Sequence, residues 1–70
     1  MQFFTHDEVR AKMQRFVKQD GTIGQVVDYG WVGIKDAYII GIRWNRIDQP
    51  SFFSKSAYER QIQEIDMSQR

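Results

Sequence analysis

Seventy residues give room for one small domain, residues 1–70, whose folding buries only about 60% of the unfolded surface. A chain that is 41% hydrophobic with a net charge of +1 is excluded from the disordered class, which combines low hydrophobicity with high net charge. The absence of cysteine excludes a disulfide framework, a thiolate zinc site and a thiol nucleophile.

No apolar run approaches the ~20 residues of a membrane span. Met1 to Phe4 is followed by Thr5, His6, Asp7 and Glu8, without the basic and apolar regions of a secretory signal. The expected setting is therefore cytoplasmic. Leucine is missing altogether, and Ile, Val, Phe, Tyr and Trp supply the apolar surface. β-branched and aromatic residues fit a pleated surface, so the composition favours strands.

Along the chain, Thr5-His6-Asp7-Glu8 reads as a capping box, with Phe4 and Val9 placed as a hydrophobic staple across it. A helix is expected from His6, with Val9, Met13 and Phe16 on its buried face and Asp7 and Glu8 at the positive end of its dipole. Asp20-Gly21 is the strongest local signal. Both residues tolerate positive φ, as a type I′ turn requires, so Arg15 to Gln19 and Thr22 to Tyr29 are expected to form a hairpin. A third strand is expected over Ala37 to Asn45, covered on both faces because both alternating sets contain isoleucine. Gly24 and Gly41 inside strands suggest bulges or bends. Gly30 to Asp36 reads as a loop carrying Trp31, Val32 and Ile34. After a turn through Asp48 and Pro50, a second helix is capped by either Ser54 or Ser56, with Tyr58, Ile62 and Ile65 as its apolar stripe. Met67 to Arg70 are expected to fray. The fold class is thus α+β: a small antiparallel sheet, an SH3-like barrel or meander, flanked by one short helix at each end.

The run Val17-Lys18-Gln19-Asp20-Gly21-Thr22-Ile23-Gly24-Gln25-Val26-Val27 is similar to the turn and second strand of SH3-like barrels, including KOW-type modules. Ile40-Gly41-Ile42-Arg43-Trp44 resembles the strand that often follows in them. The likeness covers Arg15 to Asn45. Sm-like proteins, which also set a helix before a strand and an Asp/Asn-Gly turn, are a poorer second. The departures are Gly24, which follows Gly21 too closely, and Tyr29-Gly30 after the acidic residue near the end of strand two. What the resemblance implies is a fold; it carries over no functional residue.

The residues give no pattern for catalysis. His6 is the only histidine and reads as a polar residue beside a helix cap. No nucleophile–base–acid arrangement follows from spacing. Asp28 and Asp36 are placed to approach across the loop but lack further oxygen ligands for a metal. The Gly21/Gly24 and Gly30/Gly33 pairs are better read as turn glycines than as a phosphate cradle, since no helix follows the first pair and no Gly-Lys-Ser/Thr occurs. Neither an enzyme, a cofactor nor a metal is expected.

Two binding functions compete. Trp, Tyr and Arg are typical interface anchors, so Tyr29, Trp31, Val32, Ile34 and Lys35, rimmed by Arg43 and Arg46, form the candidate site for a protein partner. The chain would then act as a regulator, inhibitor or accessory subunit, of a size that phages and plasmids also encode. The alternative is an RNA- or DNA-binding module stacking bases on Tyr29 and Trp31, with Lys35, Arg43 and Arg46 against phosphates. Self-association is a further expectation, because it would cover exposed aromatics over a thin core. The basic stripe Arg10, Lys12, Arg15 and Lys18 reads first as a solvated helix face.

Overall fold

The computed structural model describes residues 2–45 and 48–65. The first helix, α1 (His6–Lys12), begins where the cap residues dictate: the Thr5 hydroxyl accepts from the Glu8 N–H, and the Glu8 carboxylate accepts from the Thr5 N–H. It stops at Met13, followed by Gln14 with φ at 66°. Seven residues are too few for a helix stable alone, so α1 depends on the packing of buried Val9.

Asp20 and Gly21, with φ of 49° and 83°, turn β1 (Phe16–Gln19) into β2 (Thr22–Trp31). β3 (Tyr38–Trp44), β4 (Ser51–Phe53), α2 (Lys55–Gln61) and β5 (Gln63–Ile65) follow. The strands form one open antiparallel sheet in the order β4-β3-β2-β1-β5. The expected α+β class and antiparallel sheet with two short helices are present. A closed barrel is not, since β4 and β5 are separate edges.

Alternation sorts the sheet into two faces. Val17, Val26, Ile40, Ile42 and Trp44 face inward, where Phe4, Val9, Tyr58 and Ile62 complete the core beneath α1 and α2. Phe16, Lys18, Ile23, Gln25 and Arg43 point outward. Phe16 therefore does not belong to the buried face of α1. The strand begins one residue before Val17, and its period of two puts Val17 inside and Phe16 out.

The ladder between β2 and β3 slips between Val26 and Asp28, a bulge at Val27. Without it, strict alternation would send the Asp28 carboxylate inward; with it, Tyr29 shares a face with buried Ile40 instead. The bulge is thus not at Gly24 or Gly41. Gly24 lies under the Trp44 and Ile42 side chains, and Gly41 lies under the Phe52 ring.

Ser54, not Ser56, caps α2: its hydroxyl accepts from the Ala57 N–H at 3.3 Å. Ser54→Ala should cost about 1 kcal/mol by urea denaturation, and Ser56→Ala distinctly less. Equal costs would contradict this assignment. The chain leaves the helix at Ile62, so Ile65 lies in β5 rather than on the stripe of α2. Met67 to Arg70 lie outside the described residues.

Glu64 ties four segments together. From β5 it accepts a hydrogen bond from the Tyr58 hydroxyl of α2 at 2.7 Å and pairs with Lys12 of α1 and with Arg15 before β1. Partial burial by itself would raise its pKa, but hydrogen bonds from Lys12 and Tyr58 and the charges of Lys12 and Arg15 outweigh it, and the net shift is downward. Burial, followed by the bond to Glu64, pushes the Tyr58 hydroxyl up. Glu8 is also lowered, chiefly by its hydrogen bond from Lys55 and then by that from the Thr5 N–H. A carboxylate lowered in the folded state stabilises fully above its unfolded pKa, and that stability is lost as pH falls through the folded value. Melting temperature should therefore drop on acidification below pH ~4.5, and more shallowly in Glu64→Gln, which starts lower at neutral pH. An unchanged acid limb in that variant would contradict the role of Glu64.

Candidate docking surface at the end of the β2–β3 hairpin

Trp31 is the last residue of β2 rather than part of a loop, and it pairs across the ladder with Tyr38. Its side chain is 65% exposed, yet the indole N–H donates to the Ile34 carbonyl at 2.9 Å. That carbonyl also accepts from the Ala37 N–H, while the Val32 N–H donates to the Ala37 carbonyl. The loop turns through positive φ at Gly33 (87°) and Asp36 (53°). Ile34 stands at the tip, 58% exposed, beside exposed Lys35 and half-buried Val32.

The hairpin is also tied to α1. The Asp36 carboxylate accepts from the His6 N–H at 2.8 Å, at the positive end of the helix dipole. The His6 ring packs against Tyr29 at 6.0 Å and Tyr38 at 5.5 Å, and the two tyrosines meet edge to face at 5.7 Å. Aromatic pairs of this kind contribute ~0.5–1.5 kcal/mol beyond burial, so this end of the hairpin is held in shape.

The structure thus brings Tyr29, Trp31, Val32, Ile34 and Lys35 to one end of one hairpin. It does not bring Arg43 there. Five residues separate Arg43 from Tyr38 along β3, about 17 Å of strand, and an odd spacing places it on the opposite face. Arg43 instead opposes Gln25 and borders an open groove with Phe16, Ile23 and Asn45. Arg46 lies outside the described residues.

His6 is the member that sequence reasoning missed; Tyr38 offers a ring in the sequence but reads as core through its alternation with Ile40 and Ile42. The signal for His6 is its place beside a cap that the Asp36 loop completes, visible only once α1 and the hairpin are docked. Asp28 and Asp36 serve separate backbone partners, the Tyr29 and His6 N–H groups. Gly21 and Gly33 are turn glycines, while Gly24 and Gly30 sit within β2. Among the described residues, no three His, Asp or Glu side chains gather as a metal site, and no helix is long and apolar enough to cross a membrane. No protein-family model matches the chain, and neither a curated protein nor a solved structure does.

Proposed function

We propose that this domain is a non-enzymatic binding module that docks on a protein partner through the end of the β2–β3 hairpin, as a regulator, inhibitor or accessory subunit. One observation carries it: Trp31 is largely exposed but fixed, its N–H satisfied by Ile34 and its loop tethered to α1 through Asp36. A rigid aromatic anchor gains contact area on binding with little ordering cost. Ile34 and Tyr29 extend the apolar centre and Lys35 stands at its rim. We further propose an SH3-like character for the sheet, supported by five antiparallel strands, a bulge within β2, and a fifth strand that returns to pair with the first.

Nucleic acid is the weaker reading at this site, because of the two described cations expected to serve it, Lys35 stands at the hairpin end and Arg43 does not. The two readings separate by salt. A complex resting on phosphate contacts weakens steeply as counterions compete, whereas an apolar interface anchored on Trp31 holds. A species whose binding depends on Trp31 and that moderate salt strips off would sink the protein-docking proposal.

A further inference from the structure

The outer face of the sheet carries a second exposed surface, far from Trp31 and of different character. Phe16 is 37% exposed and Ile23 48% exposed, although both lie in regular strands. Together with Gln25, Arg43 and Asn45 they line an open groove whose lining holds no carboxylate. Lys18 opposes Ile23 in the ladder and adds a second cation on the same face. Neither Arg43 nor Lys18 makes an ion pair among the described residues. Two apolar side chains flanked by two cations are thus presented side by side.

From this geometry we infer a second docking site, in the Phe16–Ile23–Arg43 groove, for an acidic protein segment that inserts an apolar side chain between Phe16 and Ile23 and sets carboxylates against Arg43 and Lys18. Charge complementarity selects the occupant: the groove offers the Arg43 guanidinium, Lys18 beside Ile23 adds an ammonium, and no carboxylate lines the groove. A single-stranded nucleic acid fits less well, because it calls for successive rings along the backbone track. Here Phe16 is the one ring in the groove; Phe52, on the same face, is three strands away, about 14 Å across the sheet. The site stands independently of the Trp31 surface. With both occupied, the domain bridges two partners from opposite faces and opposite ends of β2.

The test is an NMR titration of the full chain with two probes, a short peptide alternating Glu and Leu, and a short oligothymidylate. The peptide is expected to shift the amides of Lys18, Ile23, Gln25 and Arg43 and leave the Trp31 indole N–H unmoved. Arg43→Glu, on an exposed position and verified as folded by its unperturbed core resonances, should weaken peptide binding about tenfold or more, and raised salt should weaken the wild type several-fold. Peptide shifts centred on Trp31, wild-type affinity in Arg43→Glu, shifts in the groove from oligothymidylate alone, or no response to either probe would each overturn the inference. None of these outcomes decides the hairpin proposal, which rests on Trp31.

Discussion

Trp31→Ala is expected to weaken binding of the proposed protein partner by ~2 kcal/mol or more, about thirtyfold in Kd, while the domain stays folded. The reason lies in how the side chain divides its contacts. About a third of it is covered by its own hairpin, and the rest is offered to solvent. On the folding side the variant loses a cross-strand pair with Tyr38 and one hydrogen bond to the Ile34 carbonyl, together ~1–2 kcal/mol, which leaves the domain folded. On the binding side it loses the largest ring on the surface. Calorimetric melting and partner titration on the same preparation check both halves. Unfolding of Trp31→Ala would make the residue structural and remove the reason for placing a site there.

Gly24→Ala is expected to have the largest effect on stability of any single methyl addition. A Cβ at this position would sit 2.7 Å from the Trp44 ring, 2.8 Å from Ile42 and 2.9 Å from the Arg43 carbonyl. Both side chains are core residues, and the carbonyl belongs to the neighbouring strand, so none can give way cheaply. Overpacking of this kind costs ~1–3 kcal/mol or more. A domain of this size holds roughly 4–10 kcal/mol in all, so the melting temperature should fall by ~10 °C or more. Gly30→Ala is the control. Its new methyl would meet only Ile39 at 3.7 Å and Phe52 at 4.0 Å, ordinary contacts, and its melting point should stay close to wild type. Equal melting points for the two variants would contradict the packing described around Trp44.

Features coded by neighbouring residues were legible in the sequence. The Thr5–Glu8 box starts α1, and Asp20-Gly21 turns the first hairpin, because each is a local backbone preference met within four residues. Features set by distant contacts were not. β5 is three residues long, and Ile65 continues the spacing of Tyr58 and Ile62, so the segment reads as more helix until Phe16–Lys18 supplies a strand to pair with. The bulge at Val27 answers a conflict between Val26 and Asp28 that appears only when β3 lies alongside. It also decides the site, by putting Tyr29 and Trp31 on the side of the sheet where His6 and Tyr38 lie. Arg43 reads in the sequence as a rim residue of the same site because Arg is a typical interface anchor, but the period of two carries it to the groove on the other face. The aromatic character of the hairpin was visible in the residues; its tether, Asp36 to His6, depended on the docking of α1.

The most direct test of the hairpin's role is parallel capture of tagged wild type and Trp31→Ala from the native host's lysate, at low and at high salt, with the retained species weighed. A stoichiometric protein that stays on the wild type at high salt and is absent from Trp31→Ala is the predicted result. The same protein retained by both, or only nucleic acid lost from the wild type as salt rises, would contradict it.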